Sequence, residues 1–162
     1  MANSLSFDTG VKTFNVNGTV DISFNPTDTE FVKRFYEAAE RIDAEQQRVS
    51  ETVNGNVEDY LDNPIEVYDF AKERDNAVRK EIDLLFGEGI ADKLFPGINV
   101  YAYADGFPIW MNFFTVITDV INDAIAEEQK KTDPRVKAYN KKYDSMLAKY
   151  KSTAPTRQSK AR

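Results

Sequence analysis

Lys12-Thr13-Phe14-Asn15-Val16-Asn17-Gly18-Thr19-Val20-Asp21-Ile22-Ser23-Phe24 is the stretch from which the fold is read. Its two arms alternate between apolar and polar residues, and Asn17-Gly18 lies between them. Asn-Gly is the preferred pair for a two-residue type I′ turn, because both positions need φ > 0. Period-two alternation puts Phe14, Val16, Val20, Ile22 and Phe24 on one apolar face. The strand-like pattern reaches back to Leu5, so the predicted hairpin covers residues 5–24. A lone hairpin is marginal in water, so this face must pack on helices or on another subunit's sheet.

Everything downstream reads as helix. Thr27 or Asp28 is the expected cap of a first helix over residues 28–52, with Glu30 in capping-box register to Thr27. Its stripe is Phe31, Phe35, Ala38 or Ala39, Ile42 and Val49, and Asn54-Gly55-Asn56 reads as a break. A second helix is expected over residues 64–86, capped by Asn63 and closed by Gly87. Val67, Phe70, Ala71, Val78, Ile82, Leu85 and Phe86 form its apolar face. Lys72, Glu73, Arg74, Arg79, Lys80 and Glu81 read as solvated surface. After a short helical turn at residues 90–95, Asp105 reads as a turn residue and cap for a third helix over residues 107–131, with Pro108 in its first turn. That helix is apolar on most sides, as a helix buried in a domain or shared with a partner must be. Asp133-Pro134 is expected to start a fourth, residues 134–151, with Val136, Tyr139, Tyr143, Met146, Leu147 and Tyr150 as its stripe. Residues 152–162 are expected to be a disordered basic tail. The predicted fold is α+β, mainly α: one domain with an N-terminal β-hairpin followed by a bundle of about four helices.

Composition narrows function. The 162 residues hold neither cysteine nor histidine. Disulfides, thiolate sites, histidine-bearing zinc sites and Ser-His-Asp triads are therefore excluded. Carboxylates, Lys, Tyr or a Lys-activated Ser remain, but no pair of acids demands a catalytic reading, so a non-enzyme without cofactor is expected. Gly87-Glu88-Gly89 lacks the Gly-Lys-Ser/Thr of a phosphate loop and follows a helix rather than a strand. Glu58, Asp59 and Asp62 lack the glycine and terminal glutamate of a calcium loop. Residues 1–10 show no secretory signal, and the most apolar window, residues 107–121, is too short to span a bilayer. A soluble intracellular protein without membrane association is expected.

The net charge of −6 conceals a division: residues 127–162 hold eleven basic and four acidic side chains, a net of +7, leaving −13 in the rest. Such a chain can pair with itself, with a second subunit or with an oppositely charged partner. Nucleic acid is not expected, because the acidic body repels phosphate and no aromatic-interleaved basic patch appears.

Phe86, Tyr101, Tyr103, Phe107, Trp110, Phe113 and Phe114 are the candidate protein-binding residues. Two readings of this run stand open. One is core packing, the usual fate of aromatics at helical spacing. The other is a hydrophobic groove or oligomer interface, where Trp and Tyr combine area with a polar handle. A single helix can serve both, one face to each.

Three blocks carry a family resemblance: Ser23-Phe24-Asn25-Pro26-Thr27-Asp28 with Phe31-Val32, then Leu85-Phe86-Gly87 on to Phe95, then Asn99-Val100-Tyr101-Ala102-Tyr103-Ala104-Asp105-Gly106-Phe107-Pro108-Ile109-Trp110. Over about residues 16–126 the chain resembles a family of small proteins from siphovirus-type tailed phages and prophages of Gram-positive bacteria, usually assigned as tail assembly chaperones and encoded just before the tape-measure gene. The resemblance implies a non-catalytic chaperone that coats the long helical tape-measure protein, helps recruit tail-tube subunits and leaves before the tail matures. It would act in the cytoplasm of the bacterial host. It brings no catalytic residues. The alternative is a structural virion component such as a tail-tube, connector or head-tail joining protein, for which the hairpin edge would offer strands to a ring.

Overall fold

A computed structural model describes residues 1–55, 62 and 64–153. The order of elements is β1 (Lys12–Val16), β2 (Val20–Phe24), α1 (Thr29–Gly55), α2 (Pro64–Phe86), α3 (Ile90–Leu94), β3 (Tyr103–Ala104), β4 (Phe107–Pro108) and α4 (Ile109–Thr153). The chain divides into two compact units, Met1–Asn122 and Asp123–Arg162. The first holds the hairpin and the packed helices, so the mainly helical α+β reading stands.

The hairpin turns at Asn17 and Gly18, both at positive φ (52° and 71°) as Asn-Gly chemistry requires. Its loop nevertheless has three residues rather than the expected two, since Val16 pairs with Val20 and Phe14 with Ile22. The extra residue, Thr19, donates through both N–H and Oγ1 to the Val16 carbonyl, each at 3.0 Å. A two-residue loop would shift the register by one and set the apolar face of one arm against the polar face of the other. Burial of one face therefore selects the longer loop. The hairpin is also shorter than expected, because residues 5–11 are not in a strand. Gly10, at φ 72°, bends the chain out of extended geometry. Asn25 donates from Nδ2 to the Thr9 carbonyl at 2.9 Å, and a Cβ on Gly10 would come within 2.6 Å of that nitrogen.

Asp28 caps α1, its Oδ1 accepting from Glu30 N at 3.0 Å. Thr27 instead hydrogen-bonds to Asn25 Oδ1. α1 reaches Gly55, past its expected end at residue 52, while Asn56, Glu58, Asp59 and the expected cap Asn63 lie outside the described residues.

The core of the first unit is one cluster. It joins Val20, Ile22 and Phe24 of the hairpin to Phe31, Phe35 and Ile42 of α1, Val78 and Ile82 of α2, and Trp110, Phe113, Phe114, Ile117 and Ile121 of α4. Much of it is aromatic: Phe24 stacks on Phe31 at 4.5 Å and meets Phe86 at 5.7 Å, Phe86 meets Phe113 at 5.7 Å, and Phe35 stacks on Phe114 at 5.0 Å. The hairpin's apolar face thus packs on helices of its own chain.

The predicted break at residues 132–133 does not occur. α4 runs through Pro134, and Ser152 and Thr153, assigned from sequence to the tail, are its last residues. The rest of the predicted tail lies outside the described residues. An internal proline removes one helical hydrogen bond and crowds the preceding turn. Here residues 125–153 are all exposed, so water reaches the carbonyl that lacks its donor. Among the described residues no helix is long and apolar enough to cross a membrane.

Candidate functional site

The chemistry of residues 86–114 is organised by α2. Asp75, Arg79 and Asp83 follow at four-residue spacing and so share one helix face. That face holds the segment that comes back after Gly87. Asp83 takes the place of a missing cap at the start of α3: Gly89 offers no side chain, and the Asp83 carboxylate accepts from Gly89 N at 3.1 Å and Ala91 N at 2.8 Å. Arg79 uses all five of its N–H donors. Nε reaches Asp75 Oδ2 at 2.8 Å, Nη1 reaches the Ala91 carbonyl and Asp92 Oδ1, and Nη2 reaches the Phe95 and Ile98 carbonyls. Asp75, only 5% exposed, spends its other oxygen on Val100 N at 2.7 Å. Asn99 closes the set, donating to the Ala71 carbonyl at 3.2 Å and accepting from Tyr101 N at 2.9 Å.

This corrects the sequence reading of α2. Arg79 is not solvated surface, nor are Arg74 and Glu81. The Arg74 guanidinium lies 4.0 Å from the centre of the Tyr101 ring. Glu81 accepts a two-point hydrogen bond from Arg41 of α1, at 2.9 and 2.7 Å. Between these pairs lies a cleft of about 320 Å³ lined by Arg41, Ile42, Glu45, Val78, Glu81 and Tyr101. The sequence alone assigns no role to Asp75, Asp83 or Asn99. The four-residue spacing of alternating charge was the available signal, but it reads equally as a solvated salt-bridge ladder.

Burial raises the Tyr101 phenol above its ordinary value of 10.0, and the nearby Arg74 charge opposes the shift only in part. The folded chain thus keeps a proton that the unfolded chain releases, so stability is full below about pH 10 and falls as pH rises through the folded value. A Tyr101→Phe variant should lose that extra alkaline slope, as followed by melting temperature against pH. Equal slopes in the two proteins would refute the assignment.

The seven candidate residues part company. Trp110, Phe113 and Phe114 are buried, because the first turns of α4 pass through the aromatic core. These three have no surface to offer a partner. Phe86 is half-buried in the same cluster, and Tyr101 is half-buried between Arg74 and Trp110. Tyr103 and Phe107 remain, 76% and 56% exposed. They sit on a second hairpin, β3–β4, which the sequence reading took for a turn and helix cap. Asp105 and Gly106, at φ 54° and 81°, form a true two-residue turn, and Asp-Gly was its signal. Tyr103 pairs with Pro108 and Ala104 with Phe107, so the two exposed aromatics point to opposite faces of this hairpin. Its base is held: Ile109 N donates to the Ala102 carbonyl, Trp110 N to the Val100 carbonyl and Asn112 Nδ2 to the Ala104 carbonyl, at 2.9, 3.1 and 2.8 Å.

Residues 17–161 match a family described as one of unknown function, DUF6673. The chain belongs to that family. The match takes in both hairpin turns, the α2 anchor residues and all of α4. No curated protein and no solved structure matches the chain. The DUF6673 description brings no activity or partner.

Proposed function

We propose that this protein is a non-catalytic tail assembly chaperone that binds the tape-measure protein in the host cytoplasm and assists tail-tube assembly. The blocks around Phe24, Phe86 and Tyr101 that resemble that family support the reading. The observation that carries it is Tyr103 and Phe107: two large aromatics exposed on a short hairpin whose base is hydrogen-bonded to a pinned loop. Holding the hairpin backbone in place lowers the entropy lost on binding, and each aromatic, on its own face of the hairpin, could cover an apolar stripe of a helix. Many copies along one filament would add avidity to weak single contacts.

Co-expression with the long helical protein encoded downstream tests this. The full chain should raise that protein's soluble yield and co-purify with it, and Tyr103→Ser with Phe107→Ser should abolish both effects while leaving the melting temperature within a few degrees. Unchanged solubility and no co-purification with the unsubstituted chain would end the proposal. Its absence from the mature virion is checked by mass spectrometry of purified particles. Hundreds of copies there would favour the second reading, a structural virion component. That reading draws on β1 and β2, which form a sheet of only two strands among the described residues and so leave edges open to a further strand or a second copy.

A further inference from the structure

The second unit carries its own pattern. Val136, Tyr139, Tyr143, Met146 and Tyr150 follow at spacings of three, four, three and four, and every one is exposed, from 48% at Val136 to 73% at Tyr150. A repeat of three and four averages 3.5 residues, the period of a coiled-coil seam. From this face we infer that residues 136–150 are a docking seam for an amphipathic helix of another protein, one with apolar residues in heptad register and acidic residues flanking them.

Three observations select that occupant. The stripe is narrow, widened on one side by Leu147 and with Lys137, Asn140, Lys141 and Asp144 interleaved, whereas a helix lying in a membrane surface needs a broad apolar face. Its composition, three tyrosines and a methionine, is that of a protein interface. Its flanks are charged on one side only: Arg135, Lys142 and Lys149 recur every seven residues beside the seam, while the other side carries Asn140 and Leu147. In a parallel pair with a second copy, Arg135 would face Asn140 and Lys142 would face Leu147, with no opposite charge to meet. In an antiparallel pair the basic flanks would face one another and repel. Glutamate or aspartate on the flanks of a different helix would meet each basic residue in turn.

The inference stands apart from the chaperone reading, since it uses neither Tyr103 nor Phe107. Its test uses the full chain and two synthetic three-heptad peptides, both with leucine at the seam and with either glutamate or lysine at both flanks. The glutamate peptide should bind and the lysine peptide should not, with affinity falling as salt rises. Tyr143→Ser with Met146→Ser should weaken binding roughly tenfold or more without moving the melting temperature, because both side chains are exposed. Lys142→Glu with Lys149→Glu should exchange the preference in favour of the lysine peptide. Equal binding of the two peptides, or indifference to the seam substitutions, would overturn the inference. So would binding of anionic vesicles or duplex DNA through the same residues in place of the glutamate peptide. Self-association abolished by Tyr143→Ser with Met146→Ser would replace the foreign helix with a second copy.

Discussion

Replacing Arg79 with alanine should lower the unfolding free energy by about 3–5 kcal/mol, the cost of removing one partner from a buried ion pair. The size follows from what is left behind. Arg79 and Asp75 have side chains only 15% and 8% exposed, so neither is well hydrated. Without the guanidinium, the Asp75 charge keeps only Val100 N among the described residues, and the Ala91, Phe95 and Ile98 carbonyls each lose a donor. Lysine should recover less than half of the loss. An ammonium has three donors on a point charge and cannot reproduce a planar fork aimed at five acceptors. Urea unfolding gives the reading, with the midpoint displaced and the slope unchanged. The Val100 amide should also exchange faster with solvent, because the loop opens before the core does. A loss below about 1 kcal/mol, the worth of a surface pair, would show that this network is not what pins the loop.

Phe35→Ala should cost a similar amount, about 3–5 kcal/mol, through a different route. Phe35 is 1% exposed, and its ring stacks on Phe114 at 5.0 Å and on Phe31 at 6.3 Å. Truncation removes the transfer free energy of the ring and leaves a cavity walled by aromatics, which close in poorly. The adjacent Tyr36 is the control. It is 44% exposed, so Tyr36→Ala should cost less than about 1 kcal/mol despite similar size and the same helix. Comparable losses at the two positions would mean that the core is not centred where α1 meets α4.

Some of this was legible from particular residues. Phe31, Phe35, Ile42 and Val49 announced the buried face of α1, because a helix that buries one side repeats its apolar residues at helical spacing. Val20, Ile22 and Phe24 did the same for the hairpin through period two. The candidate site was harder to read. Tyr101, Tyr103, Phe107, Trp110, Phe113 and Phe114 are alike as a list of aromatics, yet three are buried, one is half-buried and two are exposed. Local sequence holds no account of what packs from elsewhere. Phe114 is buried by Phe35, nearly eighty residues away, while Phe107 stays 56% exposed.

What the sequence determined alone was everything governed by short range: the positive-φ turn at Asn17-Gly18, the helical stripes, the lack of imidazole and thiol chemistry, and the segregation of basic residues after residue 126. Tertiary structure decided the rest. It set a three-residue loop where Asn-Gly alone suggests two, because only that register puts both apolar arms on the buried side. It also turned Arg79, one more cation on a charged helix, into the clasp of a loop. An arginine's role depends on which carbonyls the fold brings within reach, and those of Ala91, Phe95 and Ile98 arrive only once the chain has turned back on itself.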